Sequence, residues 1–406
     1  MNDLKLTTEQ IDYLLSPKAI RDSAARIYNY VESGKSYFRI DAEKLLPTIK
    51  FVLEVIRKNY PDLQIPFHSR WGHFRAGKVD RTQDLDLKLS GLDQKEKARV
   101  KLDLVITSVL LDAGAGPAWS YFEKSSAQNF SRSEGLGVAS LYLFLSGAMS
   151  SDKKSLRADH LGLKNLTQKD IANYFQVTEK NPLLGIEGRL QLLNNLAGAL
   201  KNKEIFKDHR PGNILDYLIA KYGLVIPAAG ILRSVLDGLG SIWPGRLSAQ
   251  GISLGDVWKH SQLSTNEMDS LVAFHKLSQW MTYSLIEPLI EAGLEVTGVE
   301  KLTGLAEYRN GGLLIDTGLL VVKNPSDLQI SWKPDSDFII EWRALTIYFL
   351  DIIGDQVQKA LGKTPADFPL AKVLEGGTWW AGRLIAKEKR ASGEPPVQIK
   401  SDGTVF

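Results

Sequence analysis

The sequence contains no cysteine among its 406 residues, and this absence removes several kinds of chemistry at once. Disulfide bonds, cysteine nucleophiles and thiolate metal ligands are excluded, because each of them requires a cysteine sulfur. The first residues, MNDLKLTTEQ, also lack the apolar core of a signal peptide and the arginine-rich pattern of a transit sequence. Together these features predict a cytoplasmic protein.

Long apolar runs and an excess of charge of one sign are missing as well. No run approaches the roughly 18 consecutive apolar residues of a membrane-spanning helix, so we expect no membrane contact. The 50 basic and 47 acidic residues leave a net charge of +3. Nucleic-acid binders usually concentrate basic residues on one surface, whereas the basic clusters here are short. We therefore expect no nucleic-acid partner, although a small anionic ligand fits the composition.

Several common catalytic motifs are also absent. The chain has no Walker A motif, no H-E-x-x-H and no G-x-G-x-x-G after a strand. These absences argue against a P-loop NTPase, a zincin and a dinucleotide enzyme. His68 and His73 lack the i,i+4 spacing of a helical zinc pair, and no dedicated acidic partner stands beside them in the sequence. We expect no metal site and no cofactor.

Helical periodicity dominates what is present, and it predicts a mainly α fold with small β additions. Residues 41–59, residues 93–112 and the run EGLGVASLYLFLSGA repeat apolar residues at helical spacing, with Asp41 as the expected N-cap of the first. A fourth helix is predicted to begin at the capping box Ser264-x-x-Glu267 and to continue through LIEAG. A fifth helix covers DFIIEWRALTIYFLDIIGDQVQKALG.

Strand patterns are few. They are confined to GGLLIDTGLLVV and to the tail PPVQIKSDGTVF, where Asp402-Gly403 suits a tight hairpin. The polar stretch MSSDKKSLRADHLG is the best candidate for a boundary. We therefore predict an N-terminal helical region at residues 1–150 and a helical catalytic region with short β hairpins at residues 151–406, unless the two form one continuous domain.

Three charged residues stand where helical spacing predicts apolar surroundings. Lys276 shares its stripe with apolar and aromatic neighbours, so its amine either reaches the surface or is held inside with a partner. Glu341 and Arg343 lie in a helix that is apolar nearly all round. Their i,i+2 spacing puts them on different faces, so each must find a partner elsewhere. For Lys276 a side chain that reaches the surface is the more common explanation. For Glu341 and Arg343, structural ion pairs and a functional site explain the charges equally well.

The loop LTGLAEYRNGG, residues 302–312, carries Glu307, Tyr308 and Arg309 among apolar residues and glycines. Such a triplet in a loop is usually solvated, but the apolar neighbours indicate a packed turn, and binding sites favour loops on a rigid scaffold. Three other clusters have the composition of an anion site. They are FHSRWGHFRAGK with His68, Arg70, Trp71, His73 and Arg75; SIWPGR with Trp243 and Arg246; and EGGTWWAGR, an expected helix start, with Thr378 and Arg383.

Several segments together resemble a family of uncharacterised proteins associated with uracil catabolism in fungi and bacteria, the URC pathway. The resemblance runs from about residue 65 to the end of the chain, and as a set the segments are specific. They are IPFHSRWGHF, LDLVITSVLLDAGAGPAWSY, RSEGLGVAS, SIWPGR, FHKLSQW, LTGLAEYRNGG, EWRALT, EGGTWWAGR and SDGTVF. The resemblance implies a ribosylurea-type substrate, expected as its 5′-phosphate.

A more distant resemblance implies a mechanism. Queuosine-salvage N-glycosylases, related in fold to helical DNA glycosylases, carry F-Y-K-R-A-Q, A-D-Y-R-V-P-Q and E-I-R-A in that order, and this chain has FHKLSQ, AEYRNGG and EWRA at similar spacing. The resemblance implies a DNA-glycosylase-like scaffold, with Lys276 and Glu307 at the glycosidic bond and with Arg309, Glu341 and Arg343 in support. Glutamate replaces the family's aspartate, and NGG replaces V-P-Q. Both departures favour a different base or leaving group.

We therefore predict an N-ribosyl hydrolase with Glu307 and Lys276 as its catalytic residues. Cleavage of the C1′–N bond builds positive charge on the sugar, which a carboxylate near C1′ stabilises while it activates water or attacks directly. Lys276 would hold Glu307 ionised or assist the departing nitrogen. The products from ribosylurea 5′-phosphate are urea and ribose 5-phosphate. A nucleotide such as UMP is the close alternative substrate.

The remaining predicted site residues bind substrate: basic residues hold a 5′-phosphate, and tryptophans form an apolar wall. They are Tyr308, Arg309, Glu341, Arg343, Trp243, Arg246, His68, Arg70, Trp71 and His73. Two alternatives come from other classes. A nucleic-acid glycosylase or binder predicts a continuous basic groove and salt-sensitive binding, which the near-neutral charge disfavours. A non-catalytic metabolite-binding protein predicts tight binding without turnover. The oligomeric state cannot be derived from these patterns.

Overall fold

The computed structural model describes residues 3–112, 114–243 and 247–400. Helices dominate these ranges, and no described strand exceeds three residues, so the prediction of a mainly α fold with small β additions is confirmed. The helices are α1 (Thr8–Leu14), α2 (Pro17–Glu32), α3 (Leu45–Asn59), α4 (Arg70–Phe74), α5 (Thr82–Lys88), α6 (Gln94–Leu110), α7 (Arg132–Leu145), α8 (His160–Asn165), α9 (Gln168–Tyr174), α10 (Ile186–Ala199), α11 (Ile214–Tyr222), α12 (Ala228–Leu239), α13 (Glu267–Ser270), α14 (Lys276–Glu291), α15 (Tyr308–Asp316), α16 (Asp337–Ala360), α17 (Leu370–Val373) and α18 (Trp379–Lys389).

The strands form one three-stranded sheet and several two-stranded ladders. In the three-stranded sheet β1 pairs parallel with β6, which pairs antiparallel with β7; the two-stranded ladders are β2 with β11, β3 with β4, β5 with β10, β8 with β9 and β12 with β13. The strands are β1 (Asp3–Leu4), β2 (Phe38–Ile40), β3 (Tyr121–Glu123), β4 (Gln128–Phe130), β5 (Val225–Pro227), β6 (Ser248–Ala249), β7 (Ile252–Ser253), β8 (Val257–Lys259), β9 (Leu271–Ala273), β10 (Glu295–Thr297), β11 (Leu320–Val322), β12 (Ser331–Trp332) and β13 (Gln398–Ile399).

The chain divides into two compact units, and both are discontinuous in sequence. Unit 1 takes the described residues of Met1–His68, Gly245–Gln279 and Gly298–Phe406, and unit 2 takes those of Ser69–Pro244 and Trp280–Thr297. Each unit therefore draws segments from both of the regions expected from the polar stretch near residue 150. No helix of the described chain combines the length and the apolar character needed to span a membrane.

The core of unit 1 is built around α16, most of whose residues are buried, as its apolar pattern predicts. Two glycines allow other helices to come close. A Cβ on Gly311 in α15 would lie 2.7 Å from a ring carbon of Trp342 in α16, and a Cβ on Gly382 in α18 would lie 2.2 Å from the carbonyl oxygen of Arg309. Larger residues would push these helices apart, so the glycines hold the start of α15 against α16 and α18.

Several predicted elements differ from the structure. The helix expected from Ser264 ends after the four residues of α13, because residues 271–273 leave it to pair with β8 as strand β9. The next helix starts only at Lys276. Most of GGLLIDTG belongs to α15 rather than to a strand, while LVV forms β11 as expected. Asp41 precedes a 3₁₀ turn, Ala42–Lys44, and makes no capping bond. The hairpin expected at 402–403 lies outside the described residues.

Candidate active site

Glu307 is the N-cap of α15, and its side chain folds back onto the start of that helix. One carboxylate oxygen accepts a hydrogen bond from the backbone N–H of Arg309 at 2.8 Å, and the other accepts one from Asn310 at 2.5 Å. These N–H groups have no partner inside the helix, so the carboxylate satisfies them and meets the positive end of the helix dipole. The side chain is only 7% exposed. The carboxylate of Glu307 is thus buried and fixed in orientation.

The surroundings of Glu307 shift its pKa in both directions, and the largest single effect is burial. Burial raises the pKa of the carboxyl, while the two backbone N–H groups, Lys276 and His68 lower it, and the net result is a pKa above the ordinary glutamate value. The carboxyl is therefore held by positive neighbours yet takes up a proton more readily than a solvated glutamate. A carboxyl with a raised pKa is suited to accept and return a proton.

Lys276 is the first residue of α14 and is half-buried. The expectation that it lies within a longer helix is wrong, since β9 and a sharp turn precede it. His275 forms that turn with a φ of +46°, a region that non-glycine residues rarely adopt, and its ring Nε2 lies 2.8 Å from the carbonyl oxygen of Leu14. Such strain persists only where surrounding contacts impose it. The backbone before Lys276 is therefore held in one specific conformation.

Asp256 ties the start of α14 to the core helix α16. Its carboxylate accepts hydrogen bonds from the backbone N–H of Lys276 at 3.1 Å, from Trp258 Nε1 at 2.6 Å, and from both terminal nitrogens of Arg343 at 3.0 and 2.6 Å. Arg343 also lies over the ring of Phe274 at 3.9 Å. The prediction that Arg343 finds a partner outside its own helix is confirmed, and that partner orients the helix start that carries Lys276.

Glu341, the other charged residue of α16, is held by three separate donors. Its carboxylate accepts hydrogen bonds from Ser36 Oγ at 2.5 Å and from the backbone N–H of Tyr37 at 2.9 Å, and it lies 3.1 Å from His260 Nε2. It too has found partners away from Arg343, as predicted. The contacts of Ser36 and Tyr37 thus connect the segment before β2 to α16. A role for Glu341 in substrate binding stays a prediction.

His68 lies against a π-helical turn, Leu374–Thr378, that joins α17 to α18. Its ring Nδ1 is 2.7 Å from Glu375 Oε2, its backbone N–H donates to the carbonyl of Ala371 at 3.0 Å, and its ring is 5.6 Å from that of Trp379. Single π turns occur often at functional sites. Burial and the charge of Glu375 together raise the pKa of the nearby Tyr60 to about 12. His68 therefore has an acidic partner after all, more than 300 residues away in the chain.

The glycines of EGGTWWAGR serve packing, and the expected helix start there is wrong. The segment continues a helix that begins at Leu370. Free N–H donors occur only in the first turn of a helix, and the N–H groups of this segment lie after that turn. A Cβ on Gly376 would lie 2.5 Å from Ile65, and one on Gly377 would lie 2.8 Å from Val52. The two glycines thus let the π turn pack closely against Ile65 and Val52, with Glu375 next to His68.

The other predicted substrate-binding residues fall into three groups. Arg309 donates from Nη1 to the carbonyl of Gly393 at 2.7 Å and lies over the ring of Tyr308. Arg246 lies outside the described residues. The remaining four, Arg70, Trp71, His73 and Trp243, belong to unit 2. Arg70 pairs with Asp112 at 2.9 Å, and Trp71 Nε1 donates to the carbonyl of Ser284. The His73 ring lies against that of Trp280, and Trp243 is half-buried. Substrate binding by all these residues stays a prediction.

Unit 1 thus brings together Lys276, Glu307 and His68 from distant parts of the chain. Two acidic residues that orient this cluster, Asp256 and Glu375, were missed by sequence reasoning. Neither carries a spacing signal, because each partner is supplied by a remote segment. Within the described ranges no group of three or more His, Asp or Glu residues is arranged to hold a metal ion. The three side chains supply a carboxylate, an amine and an imidazole, the kinds of group that stabilise a sugar cation and transfer protons.

These features define a mainly α protein with a buried carboxylate beside a lysine and a histidine. The family described as "Protein of unknown function (DUF1688)" matches residues 13–406, and the chain belongs to that family. It is 38% identical over 436 residues to "Uracil catabolism protein 4" of Lachancea kluyveri, covering 98% of this chain and 99% of the relative. It is 39% identical over 420 residues to "Protein urg3" of Schizosaccharomyces pombe, covering 99% and 100%. The resemblance to the URC family is confirmed.

Proposed function

We propose that this protein is an N-ribosyl hydrolase of uracil catabolism, acting on a small ribosylated metabolite in the cytoplasm. The substrate is an N-ribosylurea, in the form of its 5′-phosphate, and the products are urea and ribose 5-phosphate. The observation that carries the proposal is the buried carboxylate of Glu307, fixed at a helix start beside Lys276 and His68. The name of the Lachancea kluyveri relative, "Uracil catabolism protein 4", supports the pathway.

In the proposed reaction the bond between C1′ and nitrogen breaks as positive charge develops on the ribose ring. Glu307 stabilises that charge and takes a proton from the water that adds to C1′. Two backbone hydrogen bonds from the helix start already hold the carboxylate in place, so the carboxylate needs little reorganisation during the reaction. This arrangement stabilises the transition state more than the uncharged ground state of the sugar.

Lys276 keeps Glu307 ionised in this reaction. Burial alone disfavours the carboxylate, and the ammonium is one of the two side-chain charges that lower its pKa. Asp256 holds the backbone of Lys276, so the position of the amine depends on the Asp256–Arg343 pair. Arg343 therefore acts through Asp256 in this proposal.

The test is product release by purified protein from synthetic N-ribosylurea 5′-phosphate. Ribose 5-phosphate and urea are measured separately, with UMP and a short uracil-containing oligonucleotide as parallel substrates. We expect turnover of the urea compound and a loss of about 10²–10⁴-fold in kcat for Glu307→Gln, the range of a positioned acid–base group.

The matched control is Glu54→Gln, which makes the same change on the exposed face of α3 and should leave kcat unaltered. Release from UMP alone would assign a nucleotide as the substrate. Release of a base from the oligonucleotide alone would support a nucleic-acid glycosylase instead. Binding of the urea compound by folded protein without release of either product would reject hydrolysis and favour a metabolite-binding role.

A further inference from the structure

His68 contacts one carboxylate in unit 1 and interacts electrostatically with a second. Nδ1 is 2.7 Å from Glu375 Oε2, while the charge of the ring also acts on Glu307. The imidazole is only 6% exposed. Among the described residues, Nε2 of His68 makes no hydrogen bond. One ring nitrogen is therefore anchored, and the other is available to a ligand.

The anchored side determines which nitrogen carries the mobile proton. A carboxylate at Nδ1 holds a proton on that nitrogen and stabilises the imidazolium that forms when Nε2 is also protonated. The orientation of the ring is held by the contact of Nδ1 with Glu375 and by the neighbouring ring of Trp379, while the backbone N–H of His68 is bonded to Ala371. His68 therefore presents Nε2 in one orientation, as an acid in the imidazolium form and as a base in the neutral form.

The position of this pair relative to Glu307 follows from the packing of α18. Gly382 lies against the carbonyl of Arg309, two residues after Glu307, and Trp379 stands three residues earlier on the same helix. The ring of Trp379 contacts His68, so the helix that packs against the start of α15 also carries the neighbour of the imidazole. Geometry and electrostatics thus place His68 on the same side of unit 1 as the Glu307 carboxylate.

We propose that His68 is the general acid that protonates the departing nitrogen, and that Glu375 is the positioning residue that orients it; this inference rests on the proposed hydrolase activity. A urea anion is a poor leaving group, so cleavage of the C1′–N bond needs a proton on nitrogen as the bond breaks. Glu307 in its ionised form has no proton to give. His68 supplies the missing acid.

The proton balance closes within the site. The C1′–N electron pair stays with nitrogen, which takes the proton from Nε2 and leaves as neutral urea. Water adds to C1′ and gives its proton to Glu307. His68 is then neutral and Glu307 protonated, and return of that proton from the carboxylic acid to Nε2 restores both groups. No oxidant, metal or further reactant is required.

The charged and titratable groups around His68 fit this assignment. Glu375 Oε2 lies 2.7 Å from Nδ1 of His68, and Glu307 interacts with the ring electrostatically. Lys276 acts on Glu307 from the start of α14, Tyr60 lies near Glu375, and the Arg383 guanidinium is 4.7 Å from the ring centre of Trp379. The two carboxylates keep a protonated His68 compensated in a buried position.

The decisive experiment compares two leaving groups in the variant His68→Asn. The asparagine amide can still reach Glu375, but it has no counterpart of Nε2. We expect kcat on N-ribosylurea 5′-phosphate to fall about 10²–10⁴-fold, as for loss of a general acid. On p-nitrophenyl riboside 5′-phosphate, whose leaving group departs without a proton, kcat should change less than tenfold. Retained activity on the second substrate also shows that the variant is folded.

Glu375→Gln tests the positioning role. We expect a smaller fall in kcat, about 10-fold to 100-fold, on the urea substrate, with KM unchanged and with no comparable loss on the p-nitrophenyl substrate. A structural role alone would lower both activities together. Glu388→Gln, on the exposed face of α18, is the matched control for Glu375→Gln, and His160→Asn, in unit 2, is the matched control for His68→Asn.

The outcomes separate this inference from the proposed function. Equal losses on both substrates for His68→Asn would overturn the role of His68 as an acid while leaving the hydrolase in place. Absence of turnover by the wild-type protein on both substrates would instead reject the hydrolase itself. Loss of both activities in Glu307→Gln beside selective loss in His68→Asn would establish the division of roles.

Discussion

Glu307 and Glu341 are both buried glutamates of unit 1, yet their surroundings differ in kind. Glu341 is held by a serine hydroxyl, a backbone N–H and a histidine from two remote segments. Glu307 receives its two hydrogen bonds from its own helix start, and burial raises its pKa despite the nearby Lys276 and His68. A buried charge whose partners join distant segments stabilises the fold. One that is held only locally, with titratable neighbours, remains available for chemistry.

The largest expected effect on folding comes from breaking the Glu341 contacts. Glu341→Gln should lower the free energy of unfolding by about 3 kcal/mol, because three donors lose their charged acceptor, the buried carboxylate. Urea unfolding followed by tryptophan fluorescence measures this. Glu388→Gln on the exposed face of α18 should stay within about 0.5 kcal/mol of the wild type. A change of that small size for Glu341→Gln would contradict the structural assignment.

Glu307→Asp tests whether the activity of the protein depends on Glu307 more than its stability does. Aspartate is a favoured N-cap, so the free energy of unfolding should be unchanged or slightly higher. Its carboxylate is withdrawn by one methylene, and a displacement of that size should lower kcat about 10²-fold. Paired unfolding and steady-state measurements on the same preparation test both statements. A parallel loss of stability and activity would indicate that Glu307 acts chiefly as a cap.

Lys276→Met should change the pH dependence of turnover. Lys276 lowers the pKa of Glu307, so its removal raises that pKa further. Because the reaction needs the ionised carboxylate, the acidic limb of the kcat/KM profile should move to higher pH. Lys389→Met, at an exposed position of α18, should leave the limb where it is. A limb that does not move in Lys276→Met would show that the amine does not act on Glu307 during catalysis.

The smallest expected effect is on the pH dependence of stability. The pKa of Glu307 is raised in the folded state, so the folded protein binds this proton more tightly than the unfolded chain. Its contribution is fully present below the ordinary glutamate pKa and is lost as the pH rises through the folded value. The unfolding free energy of Glu307→Gln relative to wild type should therefore increase from about pH 4 upward. Thermal unfolding at several pH values, with Glu54→Gln as reference, tests this sign.

Local sequence patterns predicted several helices well. The helices at 94–110 and 337–360 were found from apolar spacing, because both are long and their burial follows the helical period. The interruption before Lys276 was missed, since the capping box and the following apolar residues are compatible with a continuous helix. Pairing of residues 271–273 with β8 overrode that local preference. The discontinuous units were not predictable either, because composition marks linkers and not contacts between remote segments.

By itself the sequence limited which chemistry was possible: without cysteine, no thiol nucleophile, disulfide bond or thiolate metal site can form. It also showed that Glu341 and Arg343 needed partners outside their own helix. Only the tertiary structure decided which residues those partners are. It also placed Glu375 against His68 and Asp256 at the start of α14. The physical reason is that a buried charge must be compensated in space, and residues close in space can lie hundreds of positions apart in the chain.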